Sequence, residues 1–463
     1  MYNMSMKKNV LVIICFVLMA SSNFAQENNK NRPVISTEFK GQPDDAEPNA
    51  ESLSLSVEEA VELAKKNNVS IAQGKITLAA ALRAKNHSWN SISPTASLGA
   101  SSSIPVDALS DNDAGYTASF GISASVSLSL SANLYTSMES AKIAYESGKL
   151  SFDDAVKSVE LGVREAFYGL LYEKENLALQ EKNLEIAKTQ YNNNLTRYNQ
   201  GRLSEIDVLS AEVNYKSKIP TLESARITFR NDMASFKQNL GLPIETRLEL
   251  EGSLDDMINL NEIKVEMDEI QSSTIKNLEF KLAAAKNTVL DKRFSAYAPS
   301  LSAAFTWKDA SWYLGYDGSA PDAQKSASIS LTATIPLDGL LPWSAKNDAI
   351  DTAKDTVADL ELQLENEKKT LMRTVISSVR SIKQSQESIK YKQANVTLAR
   401  RTYDMTAEAY NRGTKDLLSL QDANTSLMNA QVTLKSEALT LIKAILELEN
   451  TIGVPFGTLG QKN

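Results

Sequence analysis

Residues 156–211 read VKSVELGVREAFYGLLYEKENLALQEKNLEIAKTQYNNNLTRYNQGRLSEIDVLSA. Apolar or aromatic residues recur in this stretch every seven positions: Val156, Val163, Leu170, Leu177, Leu184, Tyr191 and Tyr198. Such a repeat predicts a long helix packed along a neighbouring helix, and Gly201 predicts where the helix ends. Because proline is absent from Ser137 to Tyr198, we expect roughly sixty helical residues, or about 90 Å.

The same pattern returns 212 positions later. The second set of residues is Val375, Ile382, Ile389, Val396, Tyr403 and Tyr410. At the same offset, Leu240-Gly241-Leu242-Pro243 corresponds to Ile452-Gly453-Val454-Pro455. The sequence therefore predicts an internal two-fold tandem repeat. We place the first structural repeat at 53–243, a connecting segment at 244–263 and the second repeat at 264–455.

The two ends of the chain have a different composition. Residues 1–25 predict a signal peptide, because Lys7 and Lys8 precede an apolar run that is followed by small residues. Residues 26–52, rich in Asn, Asp, Glu and Pro, predict a disordered mature N-terminus, and 456–463 form a C-terminal tail. The only cysteine, Cys15, lies in the signal peptide, so we expect the exported chain to contain no thiol.

Each half also contains a helix that precedes two strands. We expect these helices at residues 56–91 and 264–295, and Ser56 with Glu59 predicts a capping box at the start of the first. After each helix, the spacing between apolar residues changes from about 3.6 to two residues, which indicates strands. The second strand of each half is the clearest, because apolar residues alternate with serine, threonine or glycine over 119–130 and 326–337.

The strands have the features of membrane-spanning strands, although alternation alone also allows a soluble sandwich. The second strand of each half contains about eleven residues, a length that suits a tilted strand that crosses a bilayer. Aromatic residues lie at or near the predicted strand ends: Trp89, Trp307, Trp312, Trp343, Tyr116 and Tyr135. Loops 105–115 and 309–325 are expected to be extracellular hairpin tips. Since one chain supplies only four strands and a spanning sheet must close, several chains must share a barrel.

Composition argues against several other classes of function. The net charge of −8 and the absence of a basic run argue against a nucleic-acid partner. The sequence contains one histidine and shows no metal-ligand or nucleophile constellation. We therefore expect no catalytic residue, no metal site and no cofactor, and we do not expect an enzyme.

Two further motifs suggest a family. Tyr198-x-x-Gly201 is followed by Asp207-Val208-Leu209-Ser210-Ala211, and Tyr410-x-x-Gly413 by the looser Leu420-Gln421-Asp422-Ala423. With the duplication and the strand pairs, these motifs resemble outer-membrane efflux proteins of the TolC type over residues 55–463. The resemblance implies an α+β membrane protein. In it a homotrimer forms a twelve-stranded transmembrane β-barrel in outer-membrane lipid, continuous with a long α-helical coiled-coil barrel in the periplasm.

The resemblance also implies a function and its residues. The function is an exit duct of a tripartite efflux or type I secretion system in the bacterial outer membrane, with a periplasmic adaptor protein and an inner-membrane pump as partners. A pore constriction is implied at Asp207, Tyr410, Lys415, Ser419 and Asp422. Lys415 replaces an arginine of the family pattern, and Ser419 replaces an aspartate. The periplasmic tip and its adaptor contact are implied at Tyr198, Gly201, Arg202, Arg412, Gly413 and Thr414.

The alternative from another class is a trimeric, membrane-anchored coiled-coil surface stalk or adhesin. A stalk needs one barrel segment at one end of the chain. Here strand pairs recur in both halves, with helices before and after each pair, which favours the duct.

Overall fold

A computed structural model describes residues 53–103, 117–257, 272–315 and 324–459. The elements of the first half are β1 (Leu53–Leu55), α1 (Val57–Asn67), α2 (Val69–Asn86), β2 (Thr95–Ser103), β3 (Thr117–Ser131), α3 (Asn133–Asn199) and α4 (Glu205–Asn239). Those that follow are β4 (Leu248–Leu250), α5 (Ser273–Tyr297), β5 (Ser300–Gly315), β6 (Gln324–Thr334), α6 (Ala345–Asn411) and α7 (Leu417–Ile452). The predicted signal peptide and residues 26–52 lie outside the described residues.

The two long helices of the seven-residue repeat are confirmed. α3 and α6 each contain 67 residues, which is about 100 Å of helix at about 1.5 Å per residue. Each is followed by a return helix, α4 or α7, and α4 continues through Pro220. In the described ranges, none of the helices combines the length and the apolar composition needed to cross a bilayer.

Glycine turns end the long helices as predicted. Gly201 has φ 70° and Gly413 has φ 77°. At the first turn the Gly201 N–H donates to Tyr198 O at 2.7 Å, and the Arg202 N–H donates to Arg197 O at 2.9 Å. This pair of bonds is a Schellman motif, in which the left-handed glycine satisfies the last carbonyl groups of the helix. The turn at Gly413 has the same two bonds.

The return helices end in the same way, and one of these turns has no room for a side chain. Gly241 has φ +70°, and a Cβ atom added there lies 2.7 Å from Asn67 Cβ and 3.1 Å from Asn67 O. At Gly413, φ is also positive, but an added Cβ meets nothing within 4 Å.

We expect Gly241→Ala to lower the thermal midpoint of the detergent-solubilised protein clearly more than Gly413→Ala. Both substitutions carry the left-handed penalty of about 1–2 kcal/mol, but only the first also forces Asn67 to move. Circular dichroism at 222 nm during heating measures both midpoints. Equal shifts would show that the contact with Asn67 adds nothing.

The helix predicted at 56–91 is wrong in its extent, because it is two helices that meet at Asn68. Ser56 and Glu59 form the expected capping box at the start of α1. Asn68 has an extended backbone, and its side chain accepts the N–H of Ser70 at 2.9 Å and donates to Asn239 O at 3.1 Å. An asparagine that caps a new helix and binds a neighbouring one stabilises a break. The second predicted helix, 264–295, is helical from Ser273 to Tyr297; residues 264–271 lie outside the described residues.

The four long strands form one antiparallel sheet in the order β2-β3-β5-β6. The length of about eleven residues expected for the second strand of each half is correct for β6 but wrong for β3, which contains 15 residues. β6 stops at Thr334 rather than Leu337, because Pro336 has no N–H to donate. The loop expected at 309–325 is shorter, since β5 continues to Gly315 and β6 begins at Gln324; residues 105–115 lie outside the description.

A second, smaller sheet was not predicted. β1 and β4 pair in parallel, Leu53 with Leu248 and Leu55 with Leu250. Part of the segment 244–263, expected only to connect the repeats, is thus a strand with a buried apolar side. Residues 258–263 lie outside the described part.

Two apolar cores hold the helices together. One contains Phe167 and Phe236 of the first hairpin together with α1, β1 and β4, and also Ile442 and Leu446 of α7. The other contains the predicted stripe Val375, Ile382 and Ile389 of α6, packed on α7.

The last described residues pack against both cores, so the expectation of a mere tail is wrong for 456–459. Phe456 contacts the first core and Leu459 the second. Glu449 is fully buried, and its carboxylate accepts the N–H groups of Gly457 at 2.9 Å and Leu459 at 2.7 Å. Burial raises the pKa of this carboxyl, while these N–H groups oppose the shift. The segment after α7 thereby joins the two repeats.

Candidate functional site: sheet faces and helical tips

The strand register gives the sheet one face of small polar residues, here called the hydroxyl face. Hydroxyl groups on this face form hydrogen bonds between strands: Thr95 with Ser127 at 2.8 Å, and Ser97 with Ser125 at 2.7 Å. Its described side chains are those of Thr95, Ser97, Ser101, Ser123, Ser125, Ser127, Ser129, Ser131, Ser300, Ser302, Ala304, Thr306, Lys308, Ser326, Ser328, Ser330, Thr332 and Thr334, with Gly99 among them.

The opposite face, here called the apolar face, is continuous across the four strands. Its residues are Ala96, Leu98, Ala100, Ile122, Ala124, Val126, Leu128, Leu130, Leu301, Ala303, Phe305, Trp307, Ala327, Ile329, Leu331 and Ala333. Val126, Phe305 and Ile329 are 43%, 43% and 84% exposed, so no described segment of the chain lies over them. The face ends at the ion pair between Asp309 and Lys325, 3.4 Å apart.

Exposed aromatic residues surround the junction of the sheet and the helices. Trp89 precedes β2, Tyr135 follows β3, Tyr297 precedes β5 and Trp343 follows β6; they are 55%, 60%, 47% and 81% exposed. Trp307 lies in the middle of β5 rather than at a strand end, so that expectation was wrong. Tyr116 lies outside the described residues.

At the other end of the long helices, the predicted tip residues are all on the surface. These are Tyr198, Gly201, Arg202, Arg412, Gly413 and Thr414. Arg412 forms an ion pair with Glu408 one turn back, and Thr414 Oγ1 donates to Ala409 O at 3.0 Å. Both turns are thus closed by hydrogen bonds within the tip itself.

Two of the five predicted constriction residues, Asp207 and Ser419, lie in the first turn of a helix and are bonded to its N-cap residue. At the start of α4, Ser204 Oγ accepts the N–H of Asp207 at 3.3 Å and donates to its carboxylate at 2.5 Å. At the start of α7 the residue types are exchanged: Asp416 accepts the N–H of Ser419 at 2.8 Å. The hydroxyl and the backbone N–H of Ser419 together hold the pKa of Asp416 below its usual range. Comparing the repeats at their common offset could have revealed this exchange, which explains the serine at 419.

Tyr410 does not extend freely from the tip, because it contacts the first repeat. Its hydroxyl donates to Asn194 Oδ1 at 2.6 Å, and the Arg197 guanidinium lies 5.6 Å from its ring centroid. Asn194 is fully buried, and its Nδ2 has no partner in the part of the chain that the structure describes. The equivalent tyrosine of the first repeat, Tyr198, is 40% exposed.

Sequence reasoning missed Asn194 and a second polar contact between the repeats. Asn424 Nδ2 of α7 donates to Asn183 Oδ1 of α3 at 2.6 Å, and both side chains are buried. Buried asparagine pairs between helices fix register at some cost in stability. The seven-residue pattern could not reveal them, since it follows large apolar residues only.

Lys415 and Asp422 are exposed. Within the described ranges, no hydrogen bond or ion pair joins any two of Asp207, Tyr410, Lys415, Ser419 and Asp422, so a single chain does not assemble them into one site. Over the same ranges, no group of three or more histidine, cysteine, aspartate or glutamate side chains is arranged to hold a metal ion.

Comparison with known families gives one match that covers most of the chain. The model of the family described as outer membrane efflux protein matches residues 60–242 and 269–454. The two matched segments fall on the two halves of the duplication. No curated protein matches the chain.

Several solved structures have the same fold. The CmeC outer membrane channel of Campylobacter jejuni is 19% identical, with a TM-score of 0.70 over 88% of this chain and 87% of that one. The outer membrane protein VceC of Vibrio cholerae is 15% identical, with a TM-score of 0.65 over 86% and 96%. The open state of the MtrE outer membrane channel of Neisseria gonorrhoeae is 18% identical, with a TM-score of 0.64 over 88% and 91%.

Proposed function

Because the chain belongs to the outer membrane efflux protein family, we propose that three copies of it form a passive exit duct across the outer membrane and into the periplasm. Family membership places the chain in the outer membrane. The proposed duct is a twelve-stranded barrel with four strands from each chain, continued by the helical hairpins. It receives substrates from an inner-membrane pump through a periplasmic adaptor protein.

The observation that carries this proposal is the sheet with two different faces and two free edges. Along β3 the apolar face runs from Leu130 to Ile122, about 27 Å of strand at about 3.4 Å per residue. The apolar band of outer-membrane barrels is about 25 Å tall, and girdles of aromatic residues flank it. Among the described strands, β2 and β6 each pair on one side only, and a bare edge is not tolerated in lipid. Neighbouring copies supply the missing partners.

The helical hairpins are the basis for proposing the periplasmic part of the duct. At about 100 Å, α3 and α6 extend far beyond the sheet, and they end in turns with exposed basic and aromatic side chains. We propose that these turns, from Tyr198 to Arg202 and from Arg412 to Thr414, contact the adaptor. We also propose that Asp207, Tyr410, Lys415, Ser419 and Asp422 of three copies surround the narrowest part of the pore.

Cross-linking between strand edges tests the trimer. We expect cysteines placed at Ser97 or Thr95 on β2 and at Ser328 or Ser330 on β6 to join chains into dimers and closed trimers, because β2 of one copy pairs with β6 of the next. Cys15 lies in the predicted signal peptide, so background cross-linking should be absent. Non-reducing gels of outer-membrane fractions measure the products.

A cysteine at Ser125 on the interior strand β3, combined with the same β6 cysteines, is the control and should give no intermolecular product. Products that stop at dimers, or a ladder that continues past trimers, would contradict closure by three chains. A stalk is the alternative outcome: the chain would then form trimers that conduct no ions in planar bilayers.

A further inference from the structure

Lys308 carries the only charge among the described side chains of the hydroxyl face. It lies on β5, between Ser123 of β3 and Ser326 of β6, and it is exposed. Within the residues that the structure describes, its ammonium group has no ion pair and no hydrogen bond. The rest of the described face consists of serine, threonine, glycine and alanine, so none of its other described side chains offsets the positive charge.

The charges on the opposite face are paired. Lys325 and Asp309 lie beside Lys308 along the strands but point to the apolar face, where their charged atoms are 3.4 Å apart. The Asp309 side chain is only 17% exposed. A charged group close to lipid must be paired with an opposite charge. An unpaired ammonium group must instead be in contact with water.

We propose that Lys308 makes the barrel part of the pore favour anions, and that it thereby opposes the cation preference expected from Asp207 and Asp422 at the helical tips. This inference rests on the proposed function, because it requires three chains to close with the hydroxyl face toward water. The trimer then places three Lys308 ammonium groups at one level around the lumen. Rings of charged side chains set ion selectivity in pores, and a hydroxyl-lined wall neither screens nor competes with this ring.

The reach of this ring depends on ionic strength. The Debye length is about 10 Å at 0.1 M salt and about 30 Å at 0.01 M. The contribution of Lys308 to selectivity should therefore grow as the salt concentration falls.

Reversal potentials in planar bilayers under a KCl gradient test the proposal. We expect Lys308→Gln to lower the permeability ratio of chloride to potassium by about twofold at 0.1 M, with a larger reduction at lower salt. Lys308→Glu should lower it further, and Lys308→Arg should retain the wild-type ratio. Lys325→Gln is the matched control: it removes the same charge at nearly the same level but on the apolar face, so it should leave the ratio unchanged.

Conducting Lys308→Gln channels with wild-type selectivity would overturn this inference and leave the proposed duct intact. A change with Lys325→Gln in place of Lys308→Gln would show that the faces are reversed, which also overturns it. Wild-type protein that forms no conducting trimer would overturn the proposed function itself.

Discussion

An arginine at Val126 should prevent most of the protein from reaching the trimeric state, whereas an arginine at the adjacent Ser125 should be tolerated. Val126 lies midway along the apolar face, beside Ala96 and Phe305 on the neighbouring strands. In a lipid-facing position at mid-bilayer, an arginine costs about 2–4 kcal/mol, and a trimer contains three copies. Heat-modifiable trimer bands in outer-membrane fractions measure the effect.

Ser125 is the matched control, since it differs by one position along the same strand. Its side chain lies on the hydroxyl face and bonds Ser97 at 2.7 Å, so Ser125→Arg loses one exposed hydrogen bond, worth about 1 kcal/mol. Its arginine remains in water, and it should alter single-channel conductance without reducing trimer yield. Equal tolerance of the two arginines would contradict the assignment of the faces.

The large elements of this fold were predictable because each corresponds to a periodic pattern of apolar residues in the sequence. The seven-residue repeat and its glycines predict α3, α6 and their turns. The alternation of apolar residues with serine predicts β3 and β6. Comparing the two halves gives the offset that relates Gly201 to Gly413. These features are local, and each depends on many residues.

The parts that were missed depend on few residues or on contacts between distant ones. The break at Asn68 comes from one side chain that caps a helix and binds Asn239. β1 and β4 contain three residues each and lie far apart in the chain. Docking of the last residues requires the buried carboxylate of Glu449, which sequence alone does not distinguish from an exposed one.

The candidate constriction was predicted from resemblance, and the chain gives its residues unequal roles. Asp207 and Ser419 belong to helix caps, Tyr410 bonds Asn194, and only Lys415 and Asp422 are exposed without such a bond among the described residues. A test of charge at the tip must therefore keep the cap. Asp207→Asn retains an acceptor for the Ser204 hydroxyl, whereas Asp207→Ala removes it; in both variants Ser204 Oγ still accepts the N–H of residue 207.

Loss of the Tyr410 hydroxyl should make the tip open more often. In Tyr410→Phe, the buried Asn194 loses its Oδ1 partner, while its Nδ2 already has none among the described residues. A buried polar group without a partner costs about 1–3 kcal/mol, and 1.4 kcal/mol corresponds to a tenfold change in an equilibrium. We therefore expect single-channel open probability to rise by up to about tenfold in planar bilayers. Adding Lys415→Ala should raise conductance further, with trimer assembly unchanged.

The duplication supplies the control for this prediction. Tyr198→Phe removes the equivalent hydroxyl of the first repeat, which is exposed and has no bond within the described residues, so it should behave as wild type. The charge variant Asp207→Asn with Asp422→Asn should reduce cation selectivity and block by trivalent cations, because three copies would otherwise form an acidic ring. If Tyr410→Phe and Tyr198→Phe conduct alike, the bond to Asn194 does not hold the tip closed. If the charge variant also leaves selectivity unchanged, the narrowest part of the pore lies elsewhere.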